Sequence, residues 1–271
     1  MSALVRDLIH PGVFTCSSNT PLGKVAKILN EKHIHALFVT GRKDEIIGVI
    51  TDFDLLAGEW LSGNPESLKT MRSMTAGELM TTPVATISAG SPANEAAHRM
   101  QQEVIRRLLV LDGEKPVGVI SVTNLLADLA SQAIKARETV ADVMSDAMLV
   151  CRDKTPVTAA ARAMVDSGWR SVLVVNASGK PLGVFSGLDL LKYCQEEDCP
   201  DDVTVTQVMH PALTIHMTAT LPEAANMMIQ NHHHRLVVVD PQQPDAVPLG
   251  VISSFDIVAE MARPDSVWQE G

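Results

Sequence analysis

The residues of this sequence best suited to chemistry form a short motif that occurs four times. In its first occurrence, Gly48 is followed by the hydroxyl of Thr51 and then by the carboxylate of Asp54. A hydroxyl can donate a hydrogen bond to a phosphate oxygen, and a carboxylate can accept hydrogen bonds from two vicinal sugar hydroxyls. Recurrence at roughly 65 to 70 residues indicates one structural unit written four times. The motifs occupy 48–54, 118–124, 183–189 and 250–256.

The same residue types also have a purely structural use. Ser, Thr, Asp and Asn are preferred residues at helix N-caps, and Gly is common in turns. A capping residue can also face a cleft, so the capping and ligand-binding interpretations both stay open at each motif. The second motif is chemically weaker, because Asn124 offers one carbonyl acceptor where Asp offers two oxygens and a charge.

Recurring elements must position each motif. A Ser or Thr followed closely by Pro is typical of a helix start, with the hydroxyl as N-cap and Pro in the first turn. These segments are Thr20-Pro21, Ser91-Pro92, Thr155-Pro156 and Thr220-Leu221-Pro222. Short aliphatic runs then predict buried strands, at 36–39, 108–111, 172–175 and 236–239. Turn residues return the chain into the strand that carries the motif glycine, and a last helix is expected to start at the motif's Asp or Asn. Each repeat is therefore predicted as strand, helix, strand, strand, helix.

Composition narrows the function classes. The formal net charge of −10 opposes general binding to nucleic acid or to an anionic membrane. Arg6, Asp7, His10 and Pro11 interrupt the N-terminus before a signal-peptide core can form, and no apolar run approaches membrane-spanning length. We therefore predict a cytoplasmic protein. The four cysteines show no repeated pairing and are predicted to be reduced thiols; they are Cys16, Cys151, Cys194 and Cys199.

Taken together, these residues resemble the CBS domain, the regulatory repeat named after cystathionine β-synthase. Four motifs in register, each after two strands and before an apolar helix, carry the resemblance. It implies a mixed α+β fold of four β-α-β-β-α repeats arranged as two tandem CBS pairs. The predicted repeats are 1–60, 75–131, 139–196 and 203–262, with a long linker near 58–75 and shorter linkers near 131–139 and 195–203.

The resemblance also implies a function. Paired repeats in this family join through their sheets and leave two clefts, which commonly hold AMP, ADP, ATP or S-adenosylmethionine. The expected protein is a sensor that requires no cofactor and acts on an unidentified regulated protein or on its own homodimer. Two alternatives stay open: an enzyme that acts on a nucleotide in the cleft, and an assembly scaffold that binds no ligand.

Site residues are carried over from the resemblance position by position. The hydroxyl and ribose candidates are Thr51 with Asp54, Ser121 with Asn124, Ser186 with Asp189, and Ser253 with Asp256. A segment ahead of each first helix, where the family contacts base or phosphate, contains Thr15, Thr86, Val150 and Thr214. Val150 leaves only a backbone contact in the third repeat.

Basic residues ahead of the second strand are candidates for phosphate binding, because they recur there in an acidic protein. They are His35, Arg107, Arg170 and Arg235. Surface side chains at a strand end are the structural alternative. His234 could tune anion affinity beside Arg235 by protonation.

The run His232–His234 raises the possibility of a metal site. Adjacent helical residues point in different directions and cannot easily bind one ion, so a helix end that favours histidine is the simpler explanation and no metal is predicted. The fourth repeat carries the fullest set of candidates, so a ligand is expected first in the C-terminal pair.

Overall fold

The computed structural model describes residues 3–57, 70, 73–131, 138–187, 189–190, 203–240, 242–243 and 247–263. Most of the predicted linkers, much of the connector at 240–248, and the predicted thiols of Cys194 and Cys199 lie outside these residues. Within them, the mixed α+β architecture of CBS-like repeats is confirmed. The chain divides into two compact units, one with residues 1–13, 85–148 and 213–271 and the other with residues 14–84 and 149–212.

The helices and strands follow the predicted order in repeats 1, 2 and 4, and in repeat 3 as far as its third strand, after which the last helix lies partly outside the described residues. Repeat 1 contains α1 Val5–Leu8, β1 His10–Pro11, β2 Thr15–Ser17, α2 Leu22–Glu31, β3 Ala36–Thr40, β4 Ile46–Thr51 and α3 Asp52–Ala57. Repeat 2 contains α4 Ala76–Leu79, β5 Thr86–Ser88, α5 Ala93–Gln102, β6 Arg107–Asp112, β7 Lys115–Ser121 and α6 Val122–Ser131. Repeat 3 contains α7 Val140–Val143, β8 Val150–Arg152, α8 Val157–Ser167, β9 Ser171–Val175 and β10 Pro181–Ser186. Repeat 4 contains a 3-10 turn Val205–Gln207, β11 His210–Pro211, β12 Thr214–His216, α9 Leu221–Asn231, β13 Arg235–Val239, β14 Gly250–Ser253 and α10 Ser254–Met261.

Each repeat has the same small sheet. Its first strand pairs in parallel with the second, as β2 pairs with β3 and β12 with β13. The second strand pairs antiparallel with the third, which carries the motif. A parallel pair needs a crossover connection, and the first long helix of the repeat supplies it.

Neighbouring repeats exchange the segments that lead into them. Strand β1, at the start of repeat 1, pairs with β7 of repeat 2, and Thr81, at the start of repeat 2, pairs with Val49 of repeat 1. Repeats 3 and 4 exchange segments in the same way, through Ser145 with Val251 and β11 with β10. Each exchanged segment lies in the same compact unit as the strand with which it pairs.

The hydrophobic cores join repeats that are not consecutive. In the first unit, Leu125, Leu126 and Leu129 of repeat 2 are buried in one cluster with Leu221 and Met228 of repeat 4. The second unit has a corresponding core, which repeat 1 shares with repeat 3. In the first unit, the leucine face of helix α6 is therefore buried inside one chain. The homodimer stays a prediction.

Two kinds of helix, the first long helix and the last helix of a repeat, begin at residues other than those predicted. The last helices begin directly after the motif Ser or Thr, as α10 does after Ser253, and not at the Asp or Asn. Among the first long helices, Thr220 is the N-cap of α9 as predicted, whereas Pro21, Pro92 and Pro156 occupy the cap position themselves. Proline fixes φ but supplies no capping oxygen, so the preceding hydroxyl lies one residue too early to cap. No helix in the described part of the chain is long and apolar enough to cross a membrane.

Candidate functional site

The motif carboxylates cap the helices, and they use one oxygen to do so. In repeat 4, Asp256 Oδ2 accepts hydrogen bonds from the Ser253 N–H and hydroxyl, both at 2.7 Å. In repeat 1, Asp54 Oδ2 accepts from the Thr51 N–H at 2.7 Å and from its hydroxyl at 2.8 Å. Within the described residues, Oδ1 of these two aspartates has no hydrogen-bond partner. Since a carboxylate has about four acceptor positions, the capping and ligand-binding interpretations are compatible at one side chain.

Repeat 2 differs in the chemistry that it presents. Asn124 Oδ1 accepts from the Ser121 N–H at 2.9 Å and from its hydroxyl at 2.6 Å. Because the cap requires the oxygen, the other end of the amide is an NH2 donor. The carbonyl that Asn124 was expected to offer a ligand thus takes part in the cap, and the motif of repeat 2 presents an amide donor where repeats 1 and 4 present an acceptor.

The motif glycines have a packing role that the sequence did not reveal. A Cβ atom at Gly118 would lie 2.5 Å from the His10 carbonyl oxygen, and one at Gly183 would lie 2.6 Å from the His210 carbonyl oxygen. At Gly48 the neighbour is the Met80 side chain, which belongs to the exchanged segment of repeat 2. The glycines therefore let the exchanged segments approach the strands closely.

Strand register brings three predicted site positions to one face of the sheet in repeat 4. Arg235 pairs with Ser253, and Thr214 pairs in parallel with Val237, two residues from Arg235. Side chains directly opposite each other share a face, and so do residues two apart along a strand. Thr214, Arg235 and Ser253 therefore share one face, opposite the face whose Leu236 and Val238 enter the helical core.

The same register holds in the other repeats, with different residues. Repeat 2 carries Thr86, Arg107 and Ser121 on this face. Repeat 1 carries Thr15, Ala36 and Thr51, and repeat 3 carries Val150, Ser171 and Ser186. Arginine thus occupies this position in repeats 2 and 4, whereas small residues occupy it in repeats 1 and 3. Val150 is 46% exposed.

The basic candidates do not share one register, which corrects the sequence interpretation. Arg107 and Arg235 pair directly with the motif serines, but His35 and Arg170 lie one residue earlier, at the register of Arg106 and His234. A shift of one residue turns a side chain to the other face of a strand. Arg107 and Arg235 are consequently the two basic candidates on the face of the motif hydroxyls.

The basic residues that lie one position earlier in the strand contact other side chains. His35 Nδ1 lies 2.9 Å from Asp52 Oδ2, so its ring already has a carboxylate partner. Arg170 lies over the Phe53 ring at 4.3 Å from its centre. Arg106, which the sequence analysis passed over, lies 5.2 Å from the centre of the Phe255 ring. Phe53 and Phe255 each follow the motif hydroxyl by two residues, a pattern visible in the sequence.

Comparison with known proteins identifies the repeats. The CBS domain family model matches residues 5–59, 76–131, 140–196 and 205–263. The chain belongs to the CBS domain family. A relative from Methanocaldococcus jannaschii, MJ1404, is 31% identical over 191 residues, which are 69% of this chain and 43% of MJ1404. MK0525 from Methanopyrus kandleri is 30% identical over 45% of this chain and 63% of its own length. The chain thus spans less than two thirds of these CBS relatives.

Solved structures share the four-repeat CBS fold. MJ1225 from Methanocaldococcus jannaschii superposes with a TM-score of 0.82 at 19% identity, over 94% of this chain and 99% of its own. A conserved protein from Pyrococcus horikoshii gives a TM-score of 0.68 at 18% identity, over 96% of this chain and all of its own. At these identities the likeness is one of fold.

One contact of CBS repeat 3 was missed by sequence reasoning. His210 Nδ1 lies 3.2 Å from Oδ2 and 3.3 Å from Oδ1 of Asp189. Asp189 Oδ2 also accepts from the Ser186 N–H at 2.8 Å and from its hydroxyl at 2.6 Å. The sequence signal is the dipeptide His-Pro, which recurs at His10 and His210, although only strand pairing places the histidine beside a motif.

Two CBS repeats carry equivalent thiols at the centre of the first strand. Burial raises the pKa of Cys16 and of Cys151, and hydrogen bonds from Thr20 and Thr155 oppose that rise. Both cysteines are free in the structure. Their thiols are therefore weak nucleophiles near neutral pH. Among the described residues no group of three His, Cys, Asp or Glu side chains could hold a metal ion.

Proposed function

We propose that this protein is a cytoplasmic regulator that binds an adenosine-containing ligand, with repeat 4 as its primary site. The ligand is AMP, ADP, ATP or S-adenosylmethionine, the class that CBS domains commonly bind. The observation that carries the proposal is the different use of the two Asp256 carboxylate oxygens. Oδ2 accepts from Ser253 in the capping box of helix α10, whereas Oδ1 has no hydrogen-bond partner among the described residues. That oxygen accepts a ribose hydroxyl.

The surroundings of Asp256 support a phosphate-bearing ligand. Arg235 stands opposite Ser253 in the strand pair, and Thr214 shares their face. A guanidinium and two hydroxyls are donors suited to phosphate oxygens. The donors lie on the sheet and the acceptor lies in the first turn of the helix, so a nucleotide would bind with its sugar at the helix and its phosphate along the strands.

Repeats 1 and 2 each lack one of the groups that repeat 4 offers to a ligand. Repeat 1 keeps the unpartnered oxygen of Asp54 but has Ala36 where repeat 4 has Arg235. Repeat 2 keeps Arg107 but presents the Asn124 amide donor. We expect both repeats to bind the ligand more weakly than repeat 4, because repeat 1 lacks the cation that would contact a phosphate and repeat 2 lacks the acceptor for a sugar hydroxyl.

The proposed role is regulation and not catalysis. Repeats 2 and 4 share one hydrophobic core. A ligand bound at repeat 4 therefore affects the packing of both repeats. The change is passed to a regulated protein or to a second copy of this chain.

Titration calorimetry with AMP, ADP, ATP and S-adenosylmethionine tests the proposal on the wild type and on Asp256→Asn. Asparagine keeps the cap, as Asn124 does in repeat 2, but replaces the ribose acceptor with a donor. We expect affinity to fall about 10-fold to 100-fold, the effect of losing a hydrogen bond to a charged group, with little change in melting temperature.

The matched control is Asp142→Asn. Asp142 Oδ2 accepts from the Thr139 N–H at 2.7 Å and from its hydroxyl at 2.8 Å, so this variant makes the same chemical change in a capping box away from the motif. It should leave affinity unchanged. Equal losses in both variants would contradict a ligand contact at Asp256. Absence of binding would favour the scaffold, and turnover of a nucleotide that Asp256→Asn abolishes would favour the enzyme.

A further inference from the structure

His210 lies beside the motif carboxylate of repeat 3, Asp189. Its Nδ1 is almost equidistant from the two oxygens of Asp189, at 3.2 and 3.3 Å. A nitrogen in that position lies over the open edge of the carboxylate, between its oxygens. A vicinal diol uses the same edge when it hydrogen-bonds to a carboxylate.

The place of His210 is fixed by the exchanged segment and not by repeat 3 itself. Strand β11 pairs with β10 so that His210 lies opposite Val184 and Pro211 opposite Gly183. The Met209 side chain and the His210 carbonyl pack where a Cβ at Gly183 would stand. Repeat 4 therefore supplies a side chain to the site of repeat 3.

The corresponding positions of the other acidic repeats lack this contact. Thr81 is paired with Val49 in repeat 1, and Ser145 with Val251 in repeat 4. The Ser145 hydroxyl donates to the Ala147 carbonyl at 3.0 Å. Neither residue hydrogen-bonds Asp54 or Asp256 in the described part of the structure, so those carboxylates keep an open Oδ1.

We propose that His210 is a gate on the ligand site of repeat 3, occupying the edge of Asp189 that a ribose would use and leaving it only when ligand binds. This inference rests on the proposed function. It makes repeat 3 a weaker adenosine site than its own residues would give. It also links the site to repeat 4, because any shift of the segment that carries β11 moves the gate.

The test compares His210→Ala with the wild type by titration calorimetry with AMP and, separately, with S-adenosylmethionine. Alanine removes the competing hydrogen bond, so we expect one class of site to bind about 3-fold to 10-fold more tightly. His210→Asn keeps a donor nitrogen at nearly the same distance from the backbone and should retain wild-type affinity. The gain should vanish in the double variant His210→Ala, Asp189→Asn, because the edge that was uncovered is then no longer an acceptor.

His10→Ala is the matched control. His10 lies opposite Val119 with Pro11 opposite Gly118, the same register as His210, but the motif beside it carries Asn124 and no carboxylate. It should give no gain in affinity. Melting temperatures of all variants report folding independently of binding.

The possible failures can be told apart. If the wild type binds AMP or S-adenosylmethionine and His210→Ala binds equally or more weakly, the gate is wrong and the proposed function stands. If His210→Asn gains as much as His210→Ala, the donor nitrogen is not the competing group and the gate is again wrong. If neither the wild type nor any folded variant binds AMP, ADP, ATP or S-adenosylmethionine, both the gate and the proposed function fall.

Discussion

The guanidinium of Arg170, at the entry to β9 in repeat 3, lies 4.3 Å from the centre of the Phe53 ring in helix α3 of repeat 1. Phe53 is part of the first motif, between Thr51 and Asp54, so a basic residue of one repeat contacts the motif helix of another. Arg106 and Phe255 repeat the arrangement at 5.2 Å in the other unit. Both contacts join repeats that share a core but are not consecutive in the chain.

The Arg170–Phe53 contact predicts a measurable coupling. In a double-mutant cycle with Arg170→Met and Phe53→Leu, we expect a coupling free energy of about 0.5 to 1 kcal/mol, because a cation over an aromatic face at a partly exposed site has that strength. Methionine keeps an apolar stem of similar length. Urea unfolding of the four proteins measures the coupling. Additive effects would show that the contact contributes packing but no cation–π attraction.

Asn124→Asp should create a sugar acceptor in repeat 2. Aspartate already makes the same cap in repeats 1 and 4, so the cap is retained while the amide donor becomes an acceptor in the repeat that carries Arg107. We expect affinity at repeat 2 for the bound adenosine ligand to rise about 10-fold. Calorimetry in an Asp256→Asn background isolates this site. An unchanged affinity would mean that this side chain does not reach the ligand.

Gly118→Ala should destabilise the protein by about 1 to 3 kcal/mol, the usual effect of overpacking. The new Cβ atom would lie 2.5 Å from the His10 carbonyl oxygen, which belongs to the backbone of an exchanged strand and cannot turn aside. Urea unfolding measures the change.

Gly90→Ala, in the same repeat, is the control for Gly118→Ala. Its Cβ atom would meet the Ser88 Oγ at 3.7 Å, an ordinary contact. Its free energy of unfolding should change by less than about 0.5 kcal/mol. Equal effects of the two substitutions would argue against a role for the exchanged strand.

Thr220→Val should lower stability in a way that depends on pH. The Thr220 N–H and hydroxyl donate to the Glu223 carboxylate at 2.7 and 3.0 Å, and these bonds lower the pKa of Glu223. A lowered carboxyl pKa stabilises the folded state above the unfolded pKa of about 4.3, and this stabilisation is lost as pH falls through the folded pKa. Valine removes the hydroxyl contribution.

We expect Thr220→Val to cost about 1 kcal/mol at pH 6. The difference from the wild type should shrink toward pH 3 but not vanish, because the hydroxyl also accepts from the Glu223 N–H at 3.3 Å. Thermal unfolding at the two pH values measures it. Thr218→Val, an exposed neighbour, should show no such dependence, and a pH-independent gap for Thr220→Val would contradict the capping argument.

Much of the fold could be read from local patterns. Alternating short aliphatic runs, hydroxyl–proline pairs and the repeated motif were enough to predict the strands, the helices and their order, because these features depend on residues close in sequence. Boundaries were less accurate: a proline took the cap position in three repeats. The choice between the hydroxyl and the proline depends on where the incoming backbone turns.

The candidate site was predictable only in part. Their position ahead of the second strand grouped His35 and Arg170 with Arg107 and Arg235, although strand register separates them by one residue. Similarly, nothing local to Asp189 indicates His210, since the two meet through pairing of β11 with β10. Contacts between segments far apart in the chain leave no trace in local periodicity.

The sequence by itself determined that the chain is four copies of one CBS repeat with a capping Ser or Thr and an Asp or Asn in each. It did so because helix caps, strand alternation and turns depend on neighbouring residues. Only the tertiary structure decided that Oδ1 of Asp54 and of Asp256 has no hydrogen-bond partner among the described residues, that Asn124 presents a donor, and that His210 lies beside both oxygens of Asp189. These outcomes depend on which atoms meet after the segments exchange and the strands take their register, and that is a property of packing in three dimensions.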